Sequence, residues 1–156
     1  MKQEDKQLLL KDLCARLPYG LKIETEYFAK ATLISIRKNI SYGANKDLLV
    51  TYDISGEENP FKSDERIDIA TKIKPYLFPL SSMTDELWDR EFAECGITEF
   101  TRDSFKYGCE TLEFNNSNPD LLNMVRFINK LIENHFDIYR LIPKGLAIDA
   151  TGLNIY

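Results

Sequence analysis

The sequence contains one histidine, His135, and an aspartate, Asp137, follows it two residues later. An imidazole beside a carboxylate can act as a general acid or base, because the ring titrates near neutral pH and the carboxylate can orient it. His135 and Asp137 are therefore the candidate catalytic residues. A structural role competes with this one, since position 135 continues an apolar stripe seven residues after Ile128. It also lies near the end of a predicted helix, where histidine is favourable, and the structural role is the better supported.

Five carboxylates are concentrated in one short stretch: Asp85, Glu86, Asp89, Glu91 and Glu94. Such a density is compatible with a general-acid pair or with a divalent-cation site. However, acidic residues are favourable in the first turn of a helix, and Glu86 with Arg90 has the spacing of an i to i+4 ion pair. We therefore interpret the stretch as a solvated helix face and predict no metal site.

Other signatures of catalysis or cofactor binding are absent from the sequence. The seven glycines occur singly and form neither a Walker loop nor a dinucleotide fingerprint, and no G-x-S-x-G elbow is present. Cys14, Cys95 and Cys109 are far apart and lack the paired C-x-x-C spacing of zinc or redox sites. We predict reduced, buried thiols and no cofactor.

The densest basic group consists of Arg37, Lys38 and Lys46, with Tyr42 between them. Cations beside an aromatic ring can hold a single-stranded nucleic acid, because the ring stacks on a base. The chain has 20 basic and 25 acidic residues, a net charge of −5 that opposes binding to a polyanion. Nucleic-acid binding through these residues is therefore an alternative hypothesis, and a solvated hairpin is the default.

Residues 4–17 have the pattern of an amphipathic helix. Leucines and Cys14 recur at spacings of three and four, which predicts one apolar face with Asp12 and Arg16 lying off it. Pro18 and the glycine that follows should end this helix.

Two further helices have clear start signals. Thr84 is a natural N-cap, and the helix that follows it should end near Gly96. Residues 118–120, Asn-Pro-Asp, combine a cap, a proline at the first helical position and an acid in the first turn. Helical spacing then continues from Leu121 to His135.

Alternating apolar and polar residues predict strands over 21–27, 32–36, 48–54 and 67–73, with a short last strand over 146–148. Pro75 should end the fourth strand, because proline lacks the donor that a central strand needs. A hairpin around Gly108 is the prediction for the stretch from 97 to 117.

The whole chain of 156 residues, 44% of them hydrophobic, suits one domain over 1–156 with a sizeable core. The strands are clustered early, and helices precede and follow them, which favours the α+β class. We predict a three- to four-stranded, mainly antiparallel sheet packed against two or three helices.

The first ten residues carry charges of both signs and lack the long apolar stretch of a signal peptide. No segment approaches the 18 or more apolar residues of a membrane span. These observations predict a cytoplasmic protein that does not insert into a membrane.

Three blocks of sequence carry a resemblance to a known family: residues 4–20, ending KDLCARLPYG, residues 73–84, IKPYLFPLSSMT, and residues 134–150, from NHFD to GLAIDA. In these blocks the chain resembles a family of small uncharacterised cytoplasmic proteins of anaerobic gut bacteria, often encoded in prophage or other mobile elements. The resemblance implies a cytoplasmic accessory protein and carries over no catalytic residues.

Three hypotheses for the function follow. The leading one is a non-enzymatic cytoplasmic module that binds a protein partner and is associated with a phage or mobile element. The first alternative is a small enzyme or metal-binding protein centred on His135 and Asp137. The second is a weak binder of single-stranded nucleic acid through Arg37, Lys38 and Lys46.

Overall fold

The computed structural model of the chain describes residues 1–26, 28–38, 48–53, 65–69, 73–95, 102–104 and 121–156. The chain divides into two compact units, Met1–Leu77 with Leu141–Tyr156 and Phe78–Arg140. Helices and a mainly antiparallel sheet are both present, which confirms the predicted α+β class. The single domain predicted over 1–156 stays a prediction.

The described residues of the first unit form a six-stranded sheet in the order β4-β3-β2-β1-β5-β6. The strands are β1 Lys22–Glu24, β2 Ala31–Lys38, β3 Leu48–Asp53, β4 Glu65–Ile69, β5 Lys74–Leu77 and β6 Ile148–Asp149. Neighbouring strands are antiparallel except β5 and β6, which are parallel. The antiparallel character is as predicted, whereas the predicted count of three or four strands is too low, because β5 lies beyond the predicted end of the sheet.

Pro75 does not end the sheet but lies inside β5, where it pairs with Ile23 of β1. Hydrogen-bonded and non-hydrogen-bonded pairs alternate along an antiparallel ladder. The backbone of Leu21 bonds toward β2, because the N–H of Leu33 donates to its carbonyl. The backbone N–H and C=O of Lys22 therefore point toward β5, and those of Ile23 point toward β2 again. Pro75 thus occupies a non-hydrogen-bonded pair, in which no donor toward β1 is required.

Helix α1, Gln3–Arg16, buries a different face from the predicted one. Its buried residues are Leu9, Asp12, Leu13 and Arg16, and Cys14 is exposed. The prediction that Asp12 and Arg16 lie off the buried face is therefore wrong, as is the burial of Cys14. The physical reason is that these two charges neutralise each other. The i, i+3, i+4, i+7 stripe from Leu9 to Arg16 can then be buried as a whole.

In the second unit, Thr84 caps helix α2, Asp85–Glu91, by accepting a hydrogen bond from the N–H of Leu87. The predicted cap is confirmed, although α2 ends earlier than predicted and a 3₁₀ turn, Ala93–Cys95, follows it. Helix α3 spans Leu121–Glu133. The buried core of this unit is mainly aromatic and contains Met83, Trp88, Phe92, Cys95, Phe127, Leu131 and Phe136.

Several predicted features lie outside the described residues. They are the hairpin around Gly108, Cys109 and the cap at 118–120.

Candidate functional sites

His135 lies two residues after Glu133, the last residue of α3, and has a left-handed backbone conformation, with φ of 59°. Its N–H donates to the carbonyl of Ile132 at 3.1 Å, and the N–H of Phe136 donates to the carbonyl of Leu131 at 2.9 Å. This pair of bonds is the Schellman motif, which satisfies the last carbonyls of a helix. The backbone of His135 therefore ends α3, a role that accounts for its position without catalysis.

Asp137 is held by the same piece of backbone. The carbonyl of His135 accepts from the N–H of Phe78 at 2.9 Å, and the N–H of Asp137 donates to the carbonyl of Phe78 at 2.8 Å. Phe136, between the two candidates, packs its ring 6.3 Å from that of Phe92 in the core. Both His135 and Asp137 are buried. These two hydrogen bonds form a β-bridge between Phe78 and Phe136, which fixes the backbone of both candidates. The catalytic role of His135 and Asp137 stays a prediction.

A comparison of two substitutions at His135 tests the helix-ending role. A left-handed conformation costs a residue with a Cβ atom about 1 kcal/mol or more, whereas glycine adopts it readily. Both His135→Gly and His135→Ala remove the imidazole, so the loss of side-chain packing is similar. We expect His135→Gly to be more stable than His135→Ala by about 1 kcal/mol, measured by urea unfolding. Equal stability of the two variants would contradict this role.

The carboxylates of the α2 region are exposed or engaged in ion pairs. Asp85, Glu86, Asp89 and Glu94 are exposed. Lys130 Nζ lies 3.0 Å from Glu91 Oε2, and Arg90 Nε lies 3.0 Å from Glu91 Oε1. The hydrogen bond from Lys130, followed by that from Arg90, holds the pKa of Glu91 below its usual range. Among the described residues, no group of three or more histidine, cysteine, aspartate or glutamate side chains could hold a metal ion.

The basic group proposed for nucleic acid is only partly described. Arg37 and Lys38 are the last two residues of β2, and their backbones pair with Leu49 and Leu48 of β3. Lys46 and Tyr42 lie outside the described residues. Binding of nucleic acid by this group stays a prediction.

Asp12 and Arg16 form a buried ion pair that the sequence pattern did not predict. Arg16 Nε lies 2.9 Å from both carboxylate oxygens of Asp12, and Arg16 Nη2 lies 2.8 Å from Oδ1. Both residues are fully buried. The signal that identifies such a pair is opposite charge at i and i+4 in positions next to the buried leucines, Leu9 and Leu13.

Tyr156 brings a second polar group into the interior of the first unit. Its hydroxyl donates to the carbonyl of Tyr76 at 2.7 Å and accepts from the N–H of Lys22 at 3.3 Å. The residue as a whole is 46% exposed, so the ring reaches inward from the surface and buries mainly its hydroxyl end. Burial raises the pKa of Tyr156 well above its usual range. The N–H of Lys22 and the charge of Arg16 oppose this rise, whereas the charge of Asp12 adds to it.

The first turns of α3 carry a cluster of exposed apolar side chains, which we call the apolar ridge. Leu121 is 73% exposed, Leu122 52% and Val125 47%. At 100° per residue, these three positions span about 100° of the helix circumference, so they form one continuous strip. Later in the same helix, Phe127 and Leu131 are buried in the core. The helix therefore presents apolar surface to solvent as well as to its own core.

Comparison of the chain with protein families, with characterised proteins and with solved structures finds no match. The resemblance to a family of gut-bacterial proteins is thus a prediction from the sequence. Among the described helices, none is both long enough and apolar enough to cross a membrane.

Proposed function

We propose that the chain is a non-enzymatic module that binds a protein partner through the apolar ridge on α3. The observation that carries the proposal is the contiguous exposure of Leu121, Leu122 and Val125 on one helix. Single exposed leucines are common on protein surfaces, whereas a contiguous apolar strip marks an interaction site. Its exposure to water would favour any partner that covers it, because burying apolar area is the main driving force of association.

The shape of the ridge favours a partner with a groove. A helix that projects neighbouring apolar side chains fits a hydrophobic groove, as in the helix-in-groove mode of recognition. Arg126 is exposed and lies four residues after Leu122, at the edge of the ridge. A groove with an acidic residue on its rim would complement both features.

The cellular setting of the proposal rests on the sequence and on the cysteines. The resemblance described above supports an accessory protein of a phage or mobile element. Cys14 and Cys95 are free thiols. Free thiols persist in reducing compartments, which supports a cytoplasmic location.

The test is quantitative capture of a partner from the native host. Replacing Leu121, Leu122 and Val125 together by serine should reduce the co-purified partner at least tenfold, because central apolar anchors supply most of an interface's binding energy. Circular dichroism should show an unchanged helix content, since the ridge is exposed and surface substitutions have small effects on stability.

The matched control removes exposed apolar side chains elsewhere. Ile34 and Leu153 are 42% and 45% exposed and belong to the first unit. The double variant Ile34→Ser/Leu153→Ser should retain the partner in full. A stoichiometric partner that the ridge variant retains, or repeated recovery of the wild-type chain alone, would refute the proposal.

A further inference from the structure

Strand β4 lies at one end of the strand order of the sheet. Its residues, Glu65–Ile69, pair with β3 on one side, and no strand among the described residues pairs with the other side. A strand at a sheet edge presents a row of backbone N–H and C=O groups that can pair with a further strand. Proline and β-bulges often block such pairing. These five residues contain no proline, and their register with β3 is continuous.

The direction of the backbone bonds can be followed across the sheet as far as β3. The N–H of Leu33 in β2 donates to the carbonyl of Leu21 at 2.9 Å, so Leu33 bonds toward the β1 side. Bonding directions alternate along an antiparallel strand, so the preceding residue, Thr32, bonds toward β3. Thr32 pairs with Asp53, whose backbone groups therefore point toward β2. The next residue of β3, Tyr52, must then bond toward β4.

The same alternation continues into β4. Tyr52 pairs with Arg66, so the backbone groups of Arg66 point toward β3. Ile67 is the central residue of β4, and its N–H and C=O groups point toward the open edge. By the same rule, positions 65 and 69 also face the edge, whereas position 68 faces β3. A further strand can therefore form hydrogen bonds with β4 at positions 65, 67 and 69.

The order of charges in β4 makes the strand complementary to an antiparallel copy of itself. When two β4 strands pair about a twofold axis at Ile67, Arg66 is opposite Asp68 of the second copy, and the axis generates this pair twice. Both are non-hydrogen-bonded pairs, in which Cα atoms lie closest across the strands, and opposite charges at such positions are stabilising. Moving the axis to position 66 or 68 places Arg66 or Asp68 opposite its own copy, so like charges disfavour the neighbouring registers.

We propose that the chain forms a homodimer through antiparallel pairing of β4 with β4 of a second copy, centred on Ile67. Each of the three hydrogen-bonded pairs exchanges two backbone bonds, and the two pairs of Arg66 with Asp68 fix the register. The interface is isologous, so the pairing uses the open β4 edge of both copies and stops at two chains. At the other end of the strand order, β6 has only two residues and offers little edge for further association.

The test reverses the charges at the two opposed positions. Sedimentation equilibrium of the wild-type chain should give an average mass that rises with concentration toward twice the chain mass of 18.1 kDa. Arg66→Asp and Asp68→Arg should each raise the dissociation constant at least tenfold, because each variant places like charges opposite each other twice. An equimolar mixture of the two variants should associate within about threefold of the wild-type dissociation constant, since every charge then faces its opposite.

Two further variants serve as controls. Arg66→Asp/Asp68→Arg exchanges the two charges within one chain and should dimerise like the wild type, which keeps the test decisive if a single variant does not fold. Circular dichroism identifies such a failure. Lys2→Asp makes the same change in net charge as Arg66→Asp, at an exposed residue near the amino terminus. This variant should leave the dimer unchanged.

Several results would overturn the proposal. They are a wild-type chain that stays monomeric up to about 1 mM, a dimer that Arg66→Asp leaves as stable as the wild type, and an equal loss of the dimer in Lys2→Asp. A mixture of the two reversed variants, or the double variant, that associates no better than the single variants would also overturn it. The triple serine variant of the apolar ridge should keep this dimer, so failure of β4 pairing and failure of the proposed protein interaction are distinguishable.

Discussion

Replacing Arg16 by methionine is expected to lower the free energy of unfolding by about 3–5 kcal/mol. The substitution leaves the carboxylate of Asp12 fully buried without the guanidinium that contacts both of its oxygens. An uncompensated buried charge is far more costly than a missing surface charge. Urea unfolding at neutral pH, followed by circular dichroism, measures the loss.

The double variant Asp12→Leu/Arg16→Met separates the cost of an orphaned charge from the value of the pair. Apolar residues of similar volume often replace a buried ion pair at little cost, so the double variant should recover most of the stability that Arg16→Met loses. Arg90→Met is the matched control, since Arg90 pairs with Glu91 but is mainly exposed. We expect that control to lose less than about 1 kcal/mol. If Arg16→Met lowered the free energy of unfolding as little as Arg90→Met does, the result would contradict the burial of the pair.

Replacing Phe127 by alanine should lower the free energy of unfolding by about 3–5 kcal/mol, the usual cost of removing a large buried aromatic side chain. Phe127 is fully buried, and its ring centroid lies 5.4 Å from that of Phe92 and 6.1 Å from that of Trp88, both in edge-on arrangements. The cavity would open at the centre of the aromatic core. Thermal and urea unfolding measure the effect.

Leu122→Ala on the same helix is the control for Phe127→Ala. Leu122 is 52% exposed, and alanine is a better helix former than leucine, so the stability should change by less than about 0.5 kcal/mol. The two variants thus distinguish the core side of α3 from the apolar ridge. A large loss in Leu122→Ala would show that the ridge is part of the folded core and would also weaken the proposed function.

The parts of the fold that local rules govern could be predicted from the sequence. The cap at Thr84 depends on one side chain and the amide three residues later, so the local sequence is enough to predict it. The first strands depend on a simple alternation, although β2 has a register shift between Leu33 and Ser35 that pattern analysis does not detect. The α+β class followed from the order of such elements.

The parts that depend on partners distant in the chain could not be predicted. The buried face of α1 was predicted from its apolar residues, but the stripe that is buried includes Asp12 and Arg16, whose opposite charges form an ion pair. Pro75 was taken as a strand end, yet it is tolerated where the register puts it in a non-hydrogen-bonded pair. Whether a strand tolerates a proline depends on its register with the neighbouring strands, which the sequence of one strand does not specify.

The same distinction between local and long-range features applies to the candidate sites. The prediction that His135 lies near a helix end is confirmed, because the helical spacing that continues from Ile128 is a local signal. Its left-handed backbone was not predicted, since that conformation is more usual for glycine. The hydroxyl of Tyr156 bonds to Lys22 and Tyr76, which are 134 and 80 residues away in the chain, and nothing in the pattern around Tyr156 indicates these bonds.

The parallel pairing of β5 with β6 also has a consequence for synthesis on the ribosome. Every residue of the second unit lies between these strands in the chain, so β6 emerges about 70 residues after β5, or roughly 4–14 s later at ordinary rates of translation. During that interval the side of β5 that β6 later covers is an open sheet edge, which can pair with strands of other nascent chains. The nascent chain is therefore exposed to misassembly at this edge until β6 is made.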